Sequence, residues 1–275
     1  MCKLLFLKGS NTSRAIEYLD AFLEASSCDA NLQKIASEFG IPGVGDCHNH
    51  GWGFLLVTKE NITKYTSVRY FMDDSTAINR LKDQLKDIKG EFILMGEVRV
   101  TDKGHVSAFN AHPFYFVSRN GYEGWLFYNG LLDYEELAKQ EGIDFSNYTT
   151  KNGTTLMGIS IANALEAGKD FKEALLEPKK TLKSAYNALF FVHDNTDKYT
   201  AYVHSFISDA LFEKDYVKNH NSLISADEGD LFFAGNNSIQ ECISGDFHTL
   251  ENGTTLEFPI DFIEEYYFDG YKENE

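Results

Sequence analysis

Met1-Cys2-Lys3-Leu4-Leu5-Phe6-Leu7-Lys8 is the stretch on which the reading of this chain turns. Residues 4–7 form a continuous apolar run that is too short for the hydrophobic region of a signal peptide. A run of that length reads as a buried strand over residues 3–7, with a cysteine immediately before it. The bland reading of Cys2 is a small residue leading into a core strand. The chemical reading starts from its neighbour, because a small residue after Met1 permits removal of the initiator methionine. Removal would leave a thiol and a free α-amine on one residue. Such an amine titrates at roughly 7.7–8.0 and can take the thiol's proton without help from a histidine.

Outward from this strand, the apolar spacing of Ala15, Ile16, Leu19, Phe22 and Leu23 predicts a helix starting at Ser13. A second helical pattern covers residues 31–38 and stops at Gly40 and Pro42. Strands are expected over 51–57 and 92–100, with an amphipathic helix over 73–89 between them. Residues 114–117 and 125–128 read as two strands joined by a turn at Asn120 and Gly121. Helical stretches follow at 156–167 and 171–176, and strands at 188–193, 199–206, 231–234 and 255–258. Strands in runs, with helices collected between them, indicate an α+β fold of antiparallel sheets covered by helices. No internal repeat or linker-like tract divides the chain, so one domain over residues 1–275 is expected.

Hydrophobic residues make up 43% and charged residues 24% of the 275, the balance of a globular chain rather than a disordered one. The formal charge of -17 argues against a nucleic-acid partner, which needs a basic face, and against an anionic membrane surface. No apolar run approaches bilayer-spanning length. Cys2, Cys28, Cys47 and Cys242 are scattered without disulfide or Cys-x-x-Cys spacing, so a reducing cytoplasm is the simpler context. Asn-x-Ser/Thr triplets at Asn61, Asn147 and Asn252 then carry no glycosylation meaning.

Two further stretches bear chemistry. Gly96-Glu97-Val98-Arg99-Val100-Thr101-Asp102-Lys103-Gly104 closes a strand and leads to Asn110-Ala111-His112-Pro113-Phe114. An arginine at a strand end can clamp a carboxylate through paired hydrogen bonds. His112 reads as a satisfied structural histidine, since no neighbouring residue supplies a second catalytic group. Trp125-Leu126-Phe127-Tyr128-Asn129-Gly130 ends in an amide and a backbone N–H that could face one oxyanion, or in a plain turn.

Taken in order, Met1-Cys2, Gly51-Trp52-Gly53, Arg99 with Gly104, Asn110-x-His112-Pro113-Phe114 and Asn129-Gly130 resemble the class II glutamine amidotransferases, of the small stand-alone type. That resemblance implies the N-terminal-nucleophile hydrolase fold, a four-layer α/β/β/α sandwich. It also implies Cys2 as nucleophile with its own amine as base, and Arg99 as the ligand of the substrate's α-carboxylate. Asn129 and Gly130 would form the oxyanion hole, and no cofactor would be needed. Gly51-Trp52-Gly53 would serve packing beside the nucleophile strand. The substrate class is a γ-glutamyl amide, glutamine first. The ammonia would go to a separate synthase subunit or, in plain hydrolysis, to solvent.

This chain departs from the family pattern at several positions. Tyr128 stands where the family has His, and His50 where it has Asp. Asp102 replaces a small hydroxyl residue. The family's aspartate for the substrate α-ammonium falls at Thr155, and a neutral threonine cannot form that ion pair. Three alternatives stay open: a different substrate, substitution by another acid such as Asp102, or a catalytically silent relative kept as a binding or regulatory subunit. A zinc site at Cys47-His48-Asn49-His50 is not expected, because no second Cys/His cluster completes four ligands. The acidic run over residues 225–230 lacks the spaced oxygen ligands of a calcium loop and reads as a solvated loop.

Overall fold

A computed structural model describes residues 2–38, 45–101, 106–144, 146 and 153–264. Gly40, Pro42, Asp102, Gly104 and Asn147 lie outside the described residues. The elements run β1 (Cys2–Gly9), α1 (Thr12–Ser27), α2 (Ala30–Glu38), β2 (Trp52–Val57), β3 (Ile62–Ser67), α3 (Ser75–Asp87) and β4 (Phe92–Arg99). Next come β5 (Phe114–Val117), β6 (Glu123–Leu132), α4 (Tyr134–Gln140), α5 (Gly153–Glu166), α6 (Phe171–Ala174), β7 (Leu182–His193) and β8 (Tyr199–Ser205). The described chain closes with α7 (Asp209–Phe212), α8 (Asp215–Asn221), β9 (Leu223–Asp227), β10 (Leu231–Asn236), β11 (His248–Thr249) and β12 (Thr254–Ile260).

Two antiparallel sheets result, one ordered β11-β9-β10-β1-β4-β2-β3 and the other β12-β8-β7-β6-β5. Period-2 alternation assigns each strand's residues to two faces. On β1, Leu4 and Phe6 join Ile93, Met95, Phe127, Leu189 and Val203 in the layer between the sheets. Leu5 and Leu7 pack outward, with Leu19 and Phe22 of α1 and Leu81 and Leu85 of α3. The outer face of the second sheet, through Leu126, Ala188 and Phe190, is covered by Leu156, Met157 and Ile161 of α5. Helix, sheet, sheet and helix therefore stack in layers, as the resemblance implied.

Local chemistry explains the elements. Asn11 caps α1 by accepting from the Arg14 N–H at 3.0 Å, satisfying a donor the helix cannot. The amphipathic spacing then buries Ala15, Leu19 and Phe22 against the sheet. The expected hairpin at residues 114–128 is present, but β6 continues through Asn129 to Leu132. Asn129 and Gly130 thus sit inside a strand and not at a turn.

The solvated loop expected over residues 225–230 is a hairpin instead: Ser225–Asp227 lie in β9, which pairs with β10 through Asp227↔Phe232 and Ser225↔Ala234. Leu223, Ile224 and Ala226 are buried, and that apolar alternation outweighs the acidic composition. Among the described residues, no helix is long and apolar enough to cross a membrane.

Candidate active site

The start of β1 meets the end of β4, with Cys2 and Arg99 directly opposed across the ladder. Directly opposed residues of an antiparallel pair project to the same side. Cys2 lies two residues before Leu4, and Arg99 four after Met95, so both face the second sheet. From that sheet Asn129, two residues beyond Phe127, faces back. The three side chains named from the sequence therefore share one space between the sheets.

Their bonding is specific. The Cys2 backbone N–H donates to Asn129 Oδ1 at 2.9 Å. Asn129 is fully buried, and among the described residues its Nδ2 has no hydrogen-bond partner. An amide held by its oxygen, with its NH₂ left over, is a donor waiting for an acceptor, because an unpaired buried donor costs about 1–3 kcal/mol. A Cβ on Gly130 would lie 1.7 Å from the Ala185 carbonyl oxygen. Only glycine lets β6 close on β7 there, and that closure holds Asn129 in place. The Arg99 guanidinium donates through Nη1 to the Asn110 carbonyl, which ties the Asn110-Ala111-His112 segment to the strand end.

Cys2 is 5% exposed, and its thiol is pushed up to about 12. Burial is the main cause, and the Glu97 carboxylate adds to it, while Arg99 opposes. A thiol held that high is protonated at neutral pH and needs a base to become a nucleophile. In protein retaining Met1, alkylation of Cys2 by iodoacetamide should still be climbing at about pH 10, past the ordinary value of 9.0. A rate that levels off at or below that ordinary value would show that burial does not hold the proton on sulfur.

Glu97 is the residue that sequence reasoning missed. It is almost fully buried on β4, two residues before Arg99, and its Oε2 contacts His112 Nδ1. His112 Nε2 in turn lies 3.2 Å from Thr154 Oγ1. His112 therefore does have a charged neighbour, contrary to expectation. The signal was the alternation of β4, which places Glu97 on the same face as Arg99. Gly53 explains how His112 reaches it: Gly53 is opposite Glu97 in the ladder, and a Cβ there would lie 2.0 Å from the His112 carbonyl oxygen. The Gly51-Trp52-Gly53 motif lies on and before β2, which borders β4 and not the nucleophile strand. Trp52 Nε1 donates to Asp74 Oδ2 at 3.0 Å.

Three of the departures from the family pattern fall in different places. Tyr128 packs into the outer layer with Leu126 and Phe190, on the opposite face of β6 from Asn129. Its hydroxyl donates to the Ala185 carbonyl at 3.3 Å. Thr155 lies in the first turn of α5, half-buried, next to the buried Thr154. His50 accepts from the Thr101 N–H through Nδ1 at 3.1 Å, and burial with the Arg99 charge lowers its pKa.

Behind β1, Lys3 faces away from the site and is fully buried. Its ammonium lies 3.2 Å from Asp29 Oδ2, which also contacts His220 Nδ1 at 2.9 Å and His48 Nε2 at 4.0 Å. Asp29, His48 and His220 are spaced closely enough to hold a metal ion. The Lys3 ammonium already supplies the positive charge beside Asp29, so the group reads as a charge-balanced anchor for the start of β1. Burial lowers the pKa of both histidines. Burial alone would raise the Asp29 carboxyl, but the His220 hydrogen bond and the His220 and Lys3 charges hold it well below the usual range.

No family model matches the sequence, and no curated protein matches it. Solved structures do. The chain is similar to the allosteric regulatory enzyme of purine biosynthesis, with a TM-score of 0.60 and 18% identity, over 94% of this chain and 47% of that one. It is likewise similar to glutamine phosphoribosylpyrophosphate amidotransferase from B. subtilis, complexed with ADP and GMP. There the TM-score is 0.56 and the identity 15%, over 95% of this chain and 50% of that one. A predicted glutamine amidotransferase from Pseudomonas aeruginosa aligns over 94% of this chain and 96% of its own at 11% identity and a TM-score of 0.42, too low to carry an argument. This chain spans about half the length of the first two. Their likeness establishes a shared fold.

Proposed function

We propose that residues 1–275 form one unit of the class II glutamine amidotransferase type, an amidohydrolase acting on γ-glutamyl amides through Cys2. Support comes from the 2.9 Å bond from the Cys2 N–H to Asn129 Oδ1, with Asn129 Nδ2 left without a partner among the described residues. Removal of Met1 converts that N–H into an α-amine. The amine takes the thiol proton, and the sulfur attacks the γ-carbonyl carbon. The carbonyl π pair moves to oxygen, where Asn129 Nδ2 and the Gly130 N–H receive it. Collapse expels ammonia, which carries away the proton from the amine. Water then cleaves the thioester and returns a proton to sulfur. Arg99 holds the substrate carboxylate, and a synthase partner or solvent takes the ammonia.

The α-nitrogen subsite defines the substrate further. Thr155 offers no charge, and Glu97 is paired with His112. An α-ammonium without a carboxylate would be buried unpaired at a cost of several kcal/mol. A blocked or missing α-amine fits better, unless Asp102 supplies the acid. With protein confirmed to begin at Cys2, ammonia release should be faster from N-acylated glutamine than from glutamine. Cys2→Ala should release none from either, and Thr155→Asp should shift preference towards glutamine. Strong release from free glutamine by the unmodified chain overturns the α-nitrogen argument. Absence of release from both compounds favours the catalytically silent relative, a reading that the buried, proton-retaining Cys2 thiol also supports.

A further inference from the structure

We propose that Cys28 and Cys47 are a reversible disulfide pair, closed by exchange with a small-molecule disulfide such as oxidised glutathione. The two are distant in sequence and were read separately there. The structure lays the residues around Cys28 against those around Cys47. The Asp29 N–H donates to the Asp46 carbonyl at 2.7 Å, and the His48 N–H to the Ser26 carbonyl at 3.1 Å. These bonds flank Cys28 and Cys47 and hold the end of α1 beside the Cys47 segment, although the second falls on Ser26, so the pairing is not that of a regular antiparallel ladder.

The thiols are placed for it. Cys28 follows α1 in extended conformation, with φ -148° and ψ 101°, and is exposed. Cys47 is half-buried, and its Sγ donates to the Ser27 carbonyl at 3.0 Å, the carbonyl bonded directly to Cys28. Burial and the neighbouring Asp46 raise the Cys47 thiol, and the Cys28 charge is near enough to add to that.

The exchange balances as follows. Cys28 sulfur, losing its proton to solvent, attacks one sulfur of oxidised glutathione and expels a glutathione thiolate. Cys47 sulfur then attacks Cys28 Sγ, loses its proton and expels the second glutathione. Two protein thiols are oxidised, and one disulfide is reduced to two thiols. The clip joins the segments that carry Asp29 and His48, both packed around Lys3 one residue from Cys2. It stands whether or not the amidohydrolase reading holds.

The test is to treat the intact chain with oxidised glutathione, alkylate the remaining thiols, digest, and read the peptides by mass. The expected result is a peptide containing Cys28 joined to one containing Cys47, lost on treatment with dithiothreitol. Cys242→Ser should leave the link intact. Cys47→Ser should abolish it and leave glutathione on Cys28. The oxidised chain should melt at a higher temperature than the reduced one. A glutathione adduct on Cys28 of the unmodified chain without the link to Cys47, a link from Cys28 to Cys2 or Cys242, or an unreacted Cys28 would each overturn the proposal.

Discussion

Asp29→Ala should cost the protein a large share of its stability. Asp29 serves two structures at once. Its Oδ1 accepts from the Asn31 and Leu32 N–H groups at 3.0 and 3.3 Å and so caps α2, while its Oδ2 balances the Lys3 ammonium. Lys3 is 1% exposed, so no water replaces the lost carboxylate. Removing one member of a buried pair costs about 3–5 kcal/mol, and losing a helix cap about 1 more. Set against a typical folding stability of roughly 5–15 kcal/mol, the variant should unfold at much lower urea or temperature. Asp29→Asn separates the two effects, because asparagine caps a helix well but carries no charge. It should lose only the ion-pair part, and adding Lys3→Met should recover much of that by removing the stranded charge. A melting temperature for Asp29→Asn equal to that of the unmodified chain would show that Lys3 is not held by this carboxylate.

The layered fold was legible because β1 and β4 each carry a short uninterrupted apolar run, Leu4–Leu7 and Phe92–Met95, of strand length. Less legible were β3, α4, α8 and β9. In β3, Ile62 and Lys64 are exposed and the rest half-buried, so no buried apolar face marks the strand. In β9 the acidic ending masks Leu223, Ile224 and Ala226. The site divides in the same way. Cys2, Arg99 and Asn129 are grouped in the sequence only through the resemblance their motifs carry, and Asn129, read at a strand end, lies inside β6. Glu97 could not be given a role from sequence, because its partner His112 arrives from a loop fifteen positions away. Its approach depends on a glycine in a third strand. Pairings that cross strands through loops leave no periodicity to read, and the Lys3–Asp29–His220 anchor and the approach of Cys47 to the Ser27–Cys28 peptide are of this kind.

The departures from the family pattern also separate once their faces are known. Tyr128 alternates away from Asn129, so its ring belongs to the packing under α5 and has no direct hold on the thiol. Thr155 remains the departure with chemical consequence. It starts the helix whose preceding hydroxyl, that of Thr154, bonds His112, and His112 contacts Glu97. A carboxylate is thus present in the same chain of contacts, though it is committed to a histidine. That commitment supports the proposal that a neutral group, rather than an ammonium, stands at the substrate's α-nitrogen.

Asn129→Ala should lower ammonia release by about two to three powers of ten, the loss seen when one oxyanion-hole donor is removed. The side chain has two jobs, however, and alanine removes both. Its oxygen accepts from the Cys2 nitrogen at 2.9 Å and so orients the amine that must take the thiol proton. Its NH₂ is the unpartnered donor that the developing oxyanion would use. Asn129→Asp keeps an acceptor for the Cys2 nitrogen and puts a second oxygen, or a negative charge, where the donor stood. If Nδ2 stabilises the transition state, turnover of this variant should fall at least as far as that of alanine. Its rate of Cys2 alkylation should meanwhile stay nearer the unmodified protein than alanine's does. If Asn129 instead only positions the amine, Asn129→Asp should retain most turnover. Ammonia release and Cys2 alkylation, measured on both variants with matched melting temperatures, distinguish the two roles.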